Sequence, residues 1–392
     1  MNSRKGFTLV EVIVILVVLS ILAAMAVPVA LRIFERTAED TTREEMNNLK
    51  KALLGDPQKL QTSFRNDFGF LGDIGCLPTT AFPAAPALDR LSTQGTYPGW
   101  TFDSAKQAGA GWKGPYITGA PGEEFTKDQL GNSYVYTPAG GACPLTATLA
   151  SNGPDGLPST ADDITVTIVA NETTATIRGT VKNTSGTALA GVPVELYYPS
   201  NGTLTTSSPA TTDASGNYSF TSAPFGARAV NANPRLVLVP NSVSVGGAGN
   251  AFVTFNVANY SSSSITIDNI LVNCTALTNG GTRYDEITLD GANITPGPAN
   301  IICNPAAAPP GRDVTDSTFT ANSTPPSAMR AVVDSVDTQL PDLVLRGGTV
   351  RVIQIGRFEN PGGAVAMGAQ TFTVAFYDTA AVLISTVTVV TP

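Results

Sequence analysis

Position 11 holds the only charge between Gly6 and Leu31. A carboxylate inside an apolar stretch costs roughly 2.5–3.5 kcal/mol on insertion scales, so Glu11 reads as functional and wants a cationic partner. A second acidic set lies in the loop from Ser151 to Ile164, where Asp155, Asp162 and Asp163 fall within nine residues among Gly153, Pro154, Gly156 and Pro158. Hard cations such as calcium take six to eight oxygen ligands, which such a loop supplies from carboxylates and carbonyls. The spacing is not that of an EF-hand, because no Glu stands at the twelfth position. A solvated acidic turn is the alternative.

Other chemistries are removed at once. There is no histidine, which excludes His-based triads, His general bases and His-ligated metals. No lipase-type serine motif or paired glutamates stand in a recognisable setting, so no enzyme activity is expected. The net charge of −8 argues against nucleic acid, which would need a basic face. Four cysteines, Cys76, Cys143, Cys274 and Cys303, form no CxxC pair. An even count in an exported chain points to two disulfides, of which three pairings exist. Cys76–Cys143 and Cys274–Cys303 are expected, because each then stays inside one proposed domain.

These residues need elements to hold them. Val12 to Leu31 is an uncharged run of twenty residues, enough helix to span ~30 Å, one bilayer core. Arg4 and Lys5 before it place the N-terminus in the cytoplasm by the positive-inside rule. By composition alone an ordinary signal peptide, cleaved near Ala23, Ala24 or Ala26, or a plain signal anchor would also fit. Beyond it Leu31, Phe34, Ala38, Thr42, Met46, Leu49 and Leu53 recur every three or four residues, a helical stripe that Gly55 would stop. Pro28 either kinks this helix or marks the end of the membrane span. Further on, Gly and Pro abound, and alternations such as Val253, Phe255, Val257 and Phe372, Val374, Phe376 predict strands with one buried face.

The run Lys5-Gly6-Phe7-Thr8-Leu9-Val10-Glu11 resembles the class III signal of type IV prepilins and type II secretion pseudopilins. The resemblance implies that a prepilin peptidase cuts after Gly6 and methylates Phe7. It also implies that Glu11 meets the Phe7 amine of a neighbouring subunit, and that Phe7, Glu11 and Pro28 serve filament assembly. Three head segments look like the major pseudopilin of type II secretion. They are Phe68 to Pro78, Gly111-Trp112-Lys113-Gly114-Pro115-Tyr116-Ile117 with Lys127 to Tyr136, and the acidic loop. In the second, Gln129-Leu130 stand where the family has Pro-Trp. The third implies Ca2+ held by Asp155, Asp162 and Asp163, although the family's Gly-Gly pair is missing. Ile177 to Val181, Ala190 to Leu196 and Thr212 to Phe220 look like a carboxypeptidase-regulatory or transthyretin-like sandwich.

The expected fold is therefore α+β: a long N-terminal helix on a small antiparallel sheet, followed by two all-β sandwiches. The expected divisions are a leader at 1–6, the transmembrane and polymerisation helix at 7–54, a pilin-like head at 55–170, a transthyretin-like sandwich at 171–245 and an immunoglobulin-like one at 246–392. The expected function is a structural subunit of a type IV pilus or pseudopilus-like filament. Its partners are the peptidase, other copies or other pilins, and the inner membrane, which it leaves for a periplasmic or extracellular filament. The alternative is a minor pilin or adhesin whose sandwiches bind a surface, glycan or secreted substrate.

Overall fold

The computed structural model of the 392-residue chain describes residues 9–392, apart from 62–63, 80–86, 118–124, 233–234, 262, 296, 298–299, 304–310, 321–326 and 346–348. Gly6 and Phe7 thus lie outside the described residues. One helix, Leu9–Leu54, runs through Pro28. At 1.5 Å per residue its 46 residues extend ~69 Å. Its stop is stereochemical. Gly55 has φ +83°, and a Cβ there would lie 2.2 Å from the Asp67 carbonyl oxygen. The nearly buried Arg65 then donates to the Leu54 carbonyl, which the helix leaves without an intrahelical partner.

The chain forms two compact units. The first comprises residues 1–99 and 111–173. Its three-stranded antiparallel sheet is ordered Val135–Ala139, Thr146–Ser151, Ile164–Ile168. The helix buries Thr42, Met46, Leu49 and Leu53, a 4-3-4 spacing that keeps them on one face. Of the expected stripe, Leu31 and Phe34 are not part of this contact; they are 56% and 71% exposed. A short helix, Gly69–Ile74, buries Phe70, Leu71 and Ile74. Phe70 meets Tyr97 and Tyr116 edge-on, with centroids 5.5 Å apart in both cases. The Tyr116 hydroxyl donates to Asp73, so the Gly-Pro-Tyr turn is a packing device.

The second unit comprises residues 100–110 and 174–392. Its first sandwich pairs Thr174–Asn183 with Asn217–Pro224 in one sheet. The other sheet is built on Pro193–Ser200 and Gly226–Ala232. Here the expected division at 245/246 fails. Ser327–Val333 adds antiparallel to Gly226–Ala232, while Asp337–Gln339 and Leu343–Leu345 add parallel to Thr174–Asn183. The two sandwiches are therefore not consecutive in sequence. The expected head at 55–170 also loses the hairpin of Thr101–Asp103 and Ala108–Ala110, whose Ala108 is buried with Tyr197 and Ala229 of the first sandwich. Both departures have one cause: a sheet edge must be covered or paired, and the covering strand need not be a sequence neighbour.

The second sandwich packs two sheets. One holds Phe252–Asn259, Thr349–Gly356 and Glu286–Leu289. The other runs Arg312–Phe319, Ile265–Asn273, Thr371–Tyr377, Leu383–Val390. Its core includes the predicted alternating residues Val253, Phe255, Val257, Phe372, Val374 and Phe376.

Candidate assembly helix and acidic loop

The helix divides along its length. The large apolar side chains between Leu9 and Phe34 are exposed, and none of the most apolar stretch is buried in the chain. Such a surface in water would be strongly unfavourable, at roughly 25 cal/mol per Å2 of apolar area. By length and composition the stretch is long and apolar enough to cross a membrane. Glu11 sits in the first turn, where the positive end of the helix dipole favours a carboxylate. Pro28 lies in the same exposed half.

The other half is fixed to the head by polar contacts as well as by packing. Glu45 accepts hydrogen bonds from the Tyr134 hydroxyl, at 2.9 Å, and from Gln129 Nε2. Burial and the Glu45 carboxylate together push the Tyr134 phenol well above its usual range. Lys50 Nζ reaches Glu172 at 2.7 Å and the Thr167 carbonyl at 3.0 Å. Gln129 is one of the two residues at the departure from the resembled pattern, and the structure gives it a contact with the helix. Glu45 and Lys50 were not singled out by sequence reasoning. Their signal is faint, being polar residues one position away from the stripe.

The acidic loop is held by its own donors. Asp155 accepts from the Leu157 N–H at 2.8 Å, and Asp163 from the Ser159 N–H at 2.7 Å. Asp162 accepts from the Asp155 N–H at 3.1 Å. The Thr160 hydroxyl and that N–H hold the Asp162 carboxyl below the usual carboxylate range. Gly153, at φ +63°, lets the strands close, since a Cβ would lie 2.5 Å from the Asp162 carbonyl oxygen. A buried residue outside the expected set, Asp128, ties the loop down. Its Oδ2 accepts from Ser151 Oγ at 2.6 Å, and its Oδ1 from the N–H groups of Leu130 and Asn132.

The fit to calcium is poor. A cage needs carboxylate oxygens turned toward a common point. Here Asp155, Asp162 and Asp163 are turned toward loop N–H groups. Among the described residues, no three acidic, histidine or cysteine side chains are grouped to hold a metal. The loop is arranged as a self-bonded turn. The two disulfides are those expected, Cys76–Cys143 with Cα atoms 5.0 Å apart and Cys274–Cys303 with Cα atoms 5.7 Å apart.

Comparison with known proteins adds a motif. The model of the prokaryotic N-terminal methylation motif matches residues 1–27. No curated protein matches the chain. Among solved structures, the major pilin subunit BcpA of Bacillus cereus is similar at 10% identity and a TM-score of 0.14, over 55% of this chain and 68% of that one. The full-length major pilin SpaD of Corynebacterium diphtheriae gives 11% identity and a TM-score of 0.21, over 57% and 65% of the two chains. A putative carbohydrate-binding protein from Bacteroides uniformis gives 10% and 0.23, over 55% and 97%. At these scores the structural likenesses carry no argument, and the motif stands on its own. What is shown for this chain is therefore the prokaryotic N-terminal methylation motif in its first 27 residues.

Proposed function

We propose that this chain is a structural subunit of a type IV pilus or type II secretion pseudopilus-like filament. A prepilin peptidase removes Met1 to Gly6 and methylates Phe7. The helix then holds the protein in the inner membrane until it is drawn into the filament, with the sandwiches displayed on the periplasmic or extracellular side. The observation that carries this reading is the division of one continuous helix. Between Leu9 and Leu31 its first half exposes apolar side chains with Glu11 and Ser20 as the polar exceptions, and its second half is packed on the head. A membrane span used only as an anchor would need no carboxylate. A span that moves from lipid to helix neighbours can pair Glu11 with the Phe7 amine of another subunit, recovering in the assembly what burial of the charge costs.

Intact-mass measurement of the membrane and filament forms tests the processing step. The expected mass is that of a chain beginning at Phe7 plus one methyl group. A chain beginning at Met1, or after Ala26, overturns the proposal. Glu11→Ala tests the pairing separately. Membrane insertion should be retained and filament yield should fall at least tenfold. Normal yield removes Glu11 from the mechanism and leaves the processing result unaffected.

A further inference from the structure

The sheet of the second sandwich that runs from Arg312–Phe319 to Leu383–Val390 has two edges, and the chain treats them differently. At the first edge Arg312, Asp313 and Asp316 place charge along the strand, and Asp268 stands on the neighbouring strand Ile265–Asn273. The Thr315 N–H donates to the Ile294 carbonyl at 2.7 Å, and Arg351 Nη1 donates to the Thr318 carbonyl at 3.1 Å. Charge and partners from its own sandwich thus close this edge against strand addition. The first sandwich uses similar devices. Its Asn217–Pro224 edge has a register shift between Phe220 and Ala223 and ends in proline, and its Ser327–Val333 edge carries Arg330.

The Leu383–Val390 edge differs. It reads Leu-Ile-Ser-Thr-Val-Thr-Val-Val, without charge or proline. Its irregularity falls between Leu383 and Ser385, so residues 385–390 stay in regular antiparallel register with residues 371–376. The Thr391 N–H donates to the Gln370 carbonyl at 2.9 Å, which fixes the phase of that ladder. Ser385, Val387 and Val389 therefore turn their backbone groups into the sheet, and Thr386, Thr388 and Val390 turn theirs outward. The side chains of Val387 and Val389 are buried, whereas those of Thr386, Thr388 and Val390 are exposed. Among the described residues no strand pairs with this outer side.

A row of outward N–H and C=O groups is complementary to an extended backbone. Two copies of this strand fit each other. Antiparallel pairing centred on Thr388 sets Thr388 opposite Thr388 and Thr386 opposite Val390, with the exposed side chains of both copies on one face. Neither copy brings a charge, so no like charges meet, and cross-strand pairs of β-branched side chains are favourable. The same operation on the Arg312–Phe319 edge would bring the aspartates of both copies together.

We infer that Leu383–Val390 is a self-pairing edge, through which two copies of this chain join their second sandwiches into one continuous sheet. Such a two-fold contact closes on itself, so it links subunits in pairs and does not extend a filament. It is therefore independent of assembly through the N-terminal helix.

The test uses a single introduced thiol, which is unambiguous because the four native cysteines are paired in disulfides. Thr388→Cys in the full-length protein in detergent is oxidised mildly and separated without reducing agent. Residues opposite each other in a hydrogen-bonded antiparallel pair have Cα atoms about 5.5 Å apart, within disulfide reach. A reducible covalent dimer is expected, at roughly tenfold the yield from Thr318→Cys on the closed edge. Thr386→Lys with Val390→Lys, added to Thr388→Cys, sets like charges across the pairing and should cut the yield roughly tenfold. Both lysines replace exposed side chains, so the fold should persist, which circular dichroism checks. Absence of the Thr388→Cys dimer overturns the inference. Equal yield from Thr318→Cys, or a dimer that survives the lysines, overturns it equally, since either result assigns the association to another surface such as the helix.

Discussion

Two parts of this molecule concentrate aspartates, and they treat them oppositely. In the loop from Ser151 to Asp163 each carboxylate faces backbone N–H groups or the Thr160 hydroxyl. Around Asp268 the nearest charged neighbours are other carboxylates. The shifts follow. Asp162 is held below its ordinary range, chiefly by the Thr160 and Asp155 donors. Asp268 is raised, first by desolvation and then by Asp316, Asp313 and Asp378. The same residue type thus accepts from backbone donors in one place and, in the other, accepts from the Asn269 amide amid other carboxylates. What separates them is backbone direction. A tight turn converges N–H groups on a side chain, whereas a strand spends them on its neighbours.

The contrast is most severely tested at Asp128, the buried anchor of the donor-rich region. Asp128→Ala removes the acceptor for Ser151 Oγ and two N–H groups, so the first unit should lose about 3 kcal/mol of stability. Thermal unfolding together with hydrogen exchange over residues 126–153 would register it. Retained protection there would mean that the donors find other partners and that the loop is less dependent on its carboxylates than argued.

Gly153→Ala should have a smaller effect. The added Cβ would press on the Asp162 carbonyl at a positive φ, a destabilisation of about 1–2 kcal/mol. An unchanged unfolding midpoint would show that the loop can open without loss and would weaken its description as a self-bonded turn.

The smallest effects carry the clearest sign. A carboxyl lowered in the fold, Asp162, contributes stability above its unfolded pKa, which is lost as pH falls through the lower folded value. A carboxyl raised in the fold, Asp268, does the reverse. Its favourable contribution is present below the unfolded pKa near 3.8 and is lost as pH rises through the folded value. In calcium-free buffer at pH 7, Asp162→Asn should therefore lower the midpoint slightly, and Asp268→Asn should raise it by about 1–2 °C. Both differences should shrink in acid, the Asp268 one first. Shifts of the same sign at pH 7 would erase the distinction between the two regions.

Legibility of the fold follows the range of the interactions that build it. The helix could be read because its apolar run and its later stripe are contiguous in the chain. Its boundary at Gly55 was equally plain, since a positive φ selects glycine locally. The disulfides followed the expectation because each joins two cysteines of one compact unit. The hairpin at 101–110 and the strands between 327 and 345 were not. Alternating patterns show that a segment pairs, and they are silent on which distant edge accepts it.

The sequence by itself determined the methylation motif, the uncharged span with Glu11 inside it and the helix that follows, through covalent order and local periodicity, and it left three cysteine pairings open, of which it favoured the one observed. The tertiary structure alone decided where that helix begins to bury side chains within its own chain, at Thr42, and which strands complete the first sandwich. It also decided which aspartates meet donors and which meet one another. The physical reason is that burial, strand pairing and the field at a carboxylate depend on atoms brought close by folding, whose positions no local pattern encodes.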